Sequence, residues 1–130
     1  MAKASASADS SNPKRILVVD DDRTVLDVIS RVLAKHRLLL ARDPDEALHA
    51  ASQVGHVDLL ITDYMMPSMT GEELIGRLRE QWPALRVLVL TAHSDILDAE
   101  NSPWWARETH LGKPFEAQQL RNVVEKLLGA

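Results

Sequence analysis

Cysteine is absent from this chain. Disulfides, thiol nucleophiles and cysteine-ligated zinc sites are therefore excluded. Long apolar runs are missing too. The longest are only a few residues, far short of the roughly 20 that a membrane-crossing helix needs. No apolar signal core opens the sequence, so a cytoplasmic location is expected and a membrane partner is not. An excess of positive charge is also lacking: 15 Lys and Arg stand against 19 Asp and Glu, with both signs spread along the chain. The balance of −4 gives no electrostatic basis for direct contact with nucleic acid.

What remains is an ordinary globular composition, 45% apolar and 26% charged over 130 residues. That length suits one domain with a self-sufficient core. Residues 1–13 are rich in Ala, Ser, Asp and Asn and offer little to bury. We expect them to form a flexible tail, with the domain spanning 14–130.

From Lys14 onward strand-like and helix-like patterns alternate. Residues 15–20 read as a buried strand. Asp22 suits the cap of a helix whose apolar positions Val25, Leu26, Val28, Ile29, Val32 and Leu33 recur at helical spacing. Residues 37–41 read as a second strand. Asp43-Pro44-Asp45-Glu46 starts a helix that runs to Gln53 and stops near Gly55. A third strand is expected over 57–62, a loop over 64–70 and a helix over 71–81, ended by Pro83. A fourth strand follows at 85–90, a disturbed helix at 94–106, a weak fifth strand at 108–111 and a last helix at 116–128. Strand-then-helix five times implies an α/β fold, a doubly wound parallel sheet with helices on both faces, because parallel neighbours need crossovers.

The polar residues with chemical potential stand where the apolar strands end. Asp20-Asp21-Asp22 follow Ile16-Leu17-Val18-Val19, and Asp63 follows Leu59-Leu60-Ile61-Thr62. Thr91 follows Val87-Leu88-Val89-Leu90, and Lys113 opens Lys113-Pro114-Phe115. In an open parallel sheet these ends converge on one edge, where ligands bind. Asp20 and Asp21 can supply oxygen ligands to a hard cation such as magnesium. Asp22 is better placed as the helix cap. Asp63 can ligate a metal, act as a nucleophile, or do both. A carboxylate that attacks phosphorus forms an acyl phosphate, with a metal neutralising the transferring oxygens. Thr91 can donate to a phosphoryl oxygen. Lys113 can pair with that anion, or with Asp63 before modification.

At these residues the chain resembles the receiver domain of two-component response regulators. The matching stretches are ILVVDDD, DLLITDYMMPSMTGEEL, VLVLTAH and LGKPF, in the family's order. The resemblance implies a flavodoxin-like (βα)5 fold with strand order 2-1-3-4-5. It implies that Asp63 is the phosphoacceptor, and that Asp20, Asp21, Asp63 and the Met65 carbonyl hold Mg2+, with Mn2+ as an alternative. Thr91 then acts as the switch hydroxyl, Lys113 as the phosphate-pairing amine, and the Lys113-Pro114 peptide is cis. The implied donor is a sensor histidine kinase or a histidine phosphotransfer protein. The implied output is a downstream protein that reads the face built from the fourth helix, fifth strand and last helix, or a phosphorylation-dependent homodimer. Such a protein is a signalling domain that promotes its own phosphotransfer and dephosphorylation, rather than an enzyme with an external substrate.

Two departures from the family pattern stand out. His110 takes the place of the usual Tyr or Phe three residues before the Lys, so the aromatic part of the switch is altered and titratable. Asn101-Ser102-Pro103-Trp104-Trp105 interrupts the expected fourth helix and brings two bulky side chains to the signalling face. His93 lies two residues beyond Thr91, and His36, His49 and His56 are taken as surface residues. Two rivals remain. Asp20-Asp21-Asp22-Arg23-Thr24 also fits the nucleophile motif of haloacid-dehalogenase phosphatases, with Asp20 as nucleophile, but leaves Asp63 and Met66-Pro67 unexplained. A receiver-like interaction domain that is never phosphorylated is the other.

Overall fold

In the computed structural model, residues 13–64, 69–92 and 108–129 are described. The expected disturbed helix with Pro103-Trp104-Trp105, His93, Met65 to Pro67 and all of the expected tail except Pro13 lie outside the described residues.

The apolar runs become the inner strands of a sheet. Strand β1 (Arg15–Val19) is flanked by β2 (Arg37–Ala41) and β3 (Leu59–Asp63), and beyond β3 come β4 (Arg86–Ala92) and β5 (Thr109–Lys113). Every neighbouring pair is parallel, in the order β2-β1-β3-β4-β5. This is the expected five-stranded α/β sheet with strand order 2-1-3-4-5. Four helices are described: α1 (Arg23–Val32), α2 (Pro44–Ser52), α3 (Gly71–Gln81) and α4 (Ala117–Leu127).

Successive side chains on a strand point to opposite faces, so a strand covered on both sides must be apolar throughout. Ile16 and Val18 join Leu26 and Ile29 of α1 and Leu120 and Val124 of α4 in one core. Leu17 and Val19 join Ala47 of α2 and Leu74 and Leu78 of α3 in the other. Burial of each such aliphatic side chain stabilises the fold by roughly 1.5–3 kcal/mol, which makes the buried runs of β1, β3 and β4 sensitive to truncation.

The helix starts follow the sequence signals. Asp22 caps α1 by accepting from Thr24 N–H at 2.9 Å, and Asp43 caps α2 by accepting from Glu46 N–H at 2.8 Å. Thr70 and Glu73 form a reciprocal capping box at α3. Each cap supplies an acceptor for a backbone donor that the first turn leaves unpaired.

Among the boundaries that differ from the sequence reading, those of three strands bear on the site. Strand β3 begins at Leu59, because Asp58 turns to exchange bonds with Arg15. Strand β4 runs on to Ala92, and β5 spans Thr109–Lys113, because the β4–β5 ladder continues through Thr91↔Gly112 and Ala92↔Lys113. Thr91 and Lys113 thus lie inside strands. His36 is not a surface residue: its ring is buried, accepts from Lys14 N–H at 3.1 Å, and lies 3.4 Å from Glu125 of α4. His49 and His56 are exposed as expected.

Candidate functional site

The C-terminal ends of β1, β3, β4 and β5 meet at one edge. Val19 is in register with Thr62, Asp63 with Leu90, and Ala92 with Lys113. This pairing brings together residues far apart in the chain. Carboxylate oxygens of Asp20, Asp21 and Asp63 all lie within 4.8 Å of one another. The Lys113 ammonium bridges two of them, at 2.8 Å from Asp20 Oδ2 and 3.3 Å from Asp63 Oδ1.

Backbone donors hold the acids in place. Asp22 N–H donates to Asp20 Oδ1 at 2.9 Å, and Tyr64 N–H donates to Asp63 Oδ1 at 2.9 Å. Asp20 is fully buried, Asp21 is exposed and Asp63 lies between. The one exposed carboxylate therefore sits at the mouth.

Burial pushes the Asp63 carboxyl up from 3.8 to about 6, and the Asp20 charge adds to the rise. Lys113 and the Tyr64 amide oppose it without cancelling it. For Lys113 burial works against the charged form, but bonding and attraction to Asp20 and Asp63 outweigh it, so its pKa is raised above 10.5. The amine stays protonated at neutral pH, and one ammonium faces three carboxylates. The deficit of positive charge, and the all-oxygen donor set, suit a hard divalent cation. The Met65 carbonyl, the fourth expected protein ligand, lies outside the described residues.

Thr91 Oγ1 is buried and has no hydrogen-bond partner among the described residues. A buried hydroxyl without a partner is costly, and such groups are rare in folded proteins. Its position on β4, next in the chain to the residue opposite Asp63, puts it on the strand that adjoins the acidic site. The Lys113-Pro114 peptide is cis. His110 is exposed on β5, with Nδ1 3.2 Å from the Glu108 carbonyl oxygen. One contact had no local signal in the sequence: the closer pairing of Lys113 with Asp20, 93 residues away.

The chain belongs to the response regulator receiver domain family, whose pattern matches residues 16–125. It is 32% identical over 117 residues to the DNA-binding transcriptional regulator NtrC of Azospirillum brasilense, covering 88% of this chain and 24% of that protein. It is 35% identical over 118 residues to the response regulator MprA of Mycobacterium sp. (strain KMS), covering 89% and 51%. The chain thus spans about a quarter to a half of the length of these relatives. Among solved structures, a response regulator receiver domain protein from Clostridium thermocellum superimposes with a TM-score of 0.76 at 28% identity, covering 88% of this chain and 94% of that one. The signal receiver domain of an HD domain-containing protein from Pseudomonas fluorescens Pf-5 gives 0.78 at 26%, covering 95% and 91%. The site therefore belongs to a signalling domain. No helix among the described residues is long and apolar enough to cross a membrane.

Proposed function

We propose that Asp63 accepts a phosphoryl group from a phosphohistidine on a sensor histidine kinase or a histidine phosphotransfer protein. An Asp63 carboxylate oxygen forms the new bond to phosphorus as the bond from phosphorus to the donor's imidazole nitrogen breaks. The meeting of Asp20, Asp21, Asp63 and Lys113 at one sheet edge, with a buried Thr91 hydroxyl that has no partner among the described residues on the adjoining strand, carries this reading. Asp20, Asp21, Asp63 and the Met65 carbonyl would hold Mg2+, or Mn2+. When bound, the cation supplies neutralisation of charge on the phosphoryl oxygens.

Lys113 is already held beside Asp63, so its ammonium can follow the added charge by a small shift away from Asp20. Thr91 gains in the same event the hydrogen-bond acceptor it lacks among the described residues. The two movements pull on β4 and β5. This biases the surface around the fifth strand and last helix toward a state that a downstream protein reads, or that pairs with a second copy. His110 sits on β5 within that surface, as part of the switch. The domain promotes its own phosphotransfer and dephosphorylation, and we place it in the cytoplasm, as a domain of 14–130 behind a tail of 1–13.

The phosphatase reading is disfavoured because Asp20 is fully buried, with one oxygen accepting from Asp22 N–H and the other from Lys113, so it is less open to an external substrate than Asp63. Incubation with Mg2+ and acetyl phosphate, or with beryllofluoride, followed by mass spectrometry or NMR, tests the assignment. Modification at Asp63 that disappears in Asp63→Asn is expected. Modification at Asp20 with steady phosphate release would establish the phosphatase, and no modification of folded protein would establish a silent domain.

A further inference from the structure

The end of the sheet opposite the acidic site carries the reverse charge. Arg15, Arg37 and Arg86 head β1, β2 and β4, and Lys14 precedes β1. Arg15 and Arg37 are register partners on adjacent strands, although like charges directly opposite one another destabilise a sheet. Among the described residues, the Lys14 ammonium and the Arg37 guanidinium have no hydrogen bond or ion pair. The nearby acids are already engaged. Asp58 accepts from Arg15 N–H at 2.8 Å and lies 3.5 Å from His56 Nε2, while Glu125 faces Lys35 at 3.3 Å and His36 at 3.4 Å.

Two hollows adjoin at this end. One, of about 380 Å³, is lined by Pro13, Lys14, Arg15, Arg37, His56 and Asp58. The other, of about 520 Å³, shares Lys14 and Asp58 and continues over Val57, Trp82, Pro83 and Leu85 toward Arg86. One half of the furrow is mainly cationic, and the other sets apolar surface beside Lys14, Asp58 and Arg86.

We propose that this furrow docks an acidic segment of a partner protein, with carboxylates over Lys14, Arg15 and Arg37 and an apolar side chain over Trp82 and Pro83. Charge complementarity selects the occupant. Two cations with no internal partner among the described residues, and a third, Arg15, whose guanidinium donates to the neutral His56 carbonyl oxygen at 3.3 Å and lies 3.4 Å from His56 Nδ1, favour carboxylates, and Arg takes these in paired hydrogen bonds. From β2 to β4 the sheet spans three strand spacings, about 14 Å, which an extended segment of about five residues covers. Residues 1–12 of this chain hold one Lys and one Asp, so they lack the negative excess such an occupant needs. The furrow lies about 20 Å along β1 from Asp20, so a partner seated there leaves the acidic edge open.

The test is an NMR titration of the full 15N-labelled chain with three short synthetic peptides: one acidic with paired leucines, one acidic with those leucines replaced by serine, and one with lysine in place of the acids. The acidic leucine peptide should shift amides at residues 14, 15, 37, 57 and 82–86, lose affinity with added salt, and bind more tightly than the serine version. The Lys14→Glu/Arg37→Glu double variant should weaken it roughly ten-fold. Beryllofluoride labelling of Asp63 should be unchanged in that variant, which separates this site from the phosphoacceptor and reports that the variant is folded. Shifts confined to other surfaces, equal binding by the lysine peptide, or undiminished binding by the double variant would overturn the proposal. So would the absence of any shift up to about 1 mM peptide, the weak end of specific recognition. Self-association that the double variant abolishes, without peptide binding, would give the furrow to a second copy and overturn it as well.

Discussion

Lys113 leans toward Asp20 rather than toward Asp63. Its Nζ is 2.8 Å from Asp20 Oδ2, a fully buried carboxylate, and 3.3 Å from Asp63 Oδ1. Burial and an unpaired charge make Asp20 the more demanding partner, because an isolated carboxylate in a low-dielectric site is far costlier than a half-open one. The ammonium is thus the counter-ion of the acid pocket.

Removing that counter-ion should destabilise the metal-free protein. Lys113→Ala is expected to cost about 3 kcal/mol, the usual loss when one partner of a buried pair is deleted. Excess Mg2+ should restore part of it by replacing the lost positive charge. Urea denaturation with and without Mg2+ checks both, and an equal loss in the two conditions would contradict the counter-ion role. If the proposed switch is right, the same variant should still accept the phosphoryl group but respond poorly to it.

Asp63 makes stability depend on pH in a direction opposite to that of most carboxylates. Its pKa rises from 3.8 to about 6 on folding, so the folded state holds the proton more tightly than the unfolded chain. The favourable contribution is complete below the unfolded value and is lost as pH rises through about 6. Asp63→Asn has no such charge to bury. In the presence of a chelator it should exceed the parent in stability by roughly 1–2 kcal/mol at pH 7, after allowance for the solvent that reaches this edge. The difference should shrink toward pH 4. Denaturation midpoints at a series of pH values test it, and a parent more stable than the variant at pH 7 would contradict the sign.

A cation bound by the three carboxylates should raise the melting temperature by mass action. The stabilisation reaches about 2.7 kcal/mol when free Mg2+ is 100 times its dissociation constant. Asp21 is the exposed member of the cluster, so Asp21→Asn should leave the fold intact while removing most of the Mg2+-dependent shift. Differential scanning calorimetry with Mg2+ and with a chelator gives the readout. A full shift in the variant would exclude Asp21 as a ligand.

The buried Thr91 hydroxyl, without a partner among the described residues, predicts an unusual mutational result. Thr91→Val keeps the shape and removes a buried polar atom that bonds to nothing described. The unmodified protein should be unchanged or up to about 1 kcal/mol more stable. The conformational response to beryllofluoride, followed by amide chemical shifts on β4 and β5, should be reduced. A stability loss above about 2 kcal/mol would mean that the hydroxyl already has a partner.

The sequence alone determined the alternation of elements, the strand order through its resemblance to a known family, and the identity of the residues at the sheet's C-terminal edge. The alternation and the edge residues were legible because they depend on local chemistry. Doubly covered strands must be apolar throughout, and Asp22 and Asp43 announce helix starts by the donors they satisfy. Only the tertiary structure decided partners. His36 looks like any loop histidine until β1 and α4 close over it, and Arg79 forms a two-point ion pair with Glu108, 29 residues on, at 2.7 and 3.1 Å. The extension of β4 and β5 through Thr91 and Lys113 came from their ladder rather than from either run. The preference of Lys113 for Asp20 followed from burial. Contacts between distant segments depend on register and enclosure, and neither is a property of any short stretch of chain.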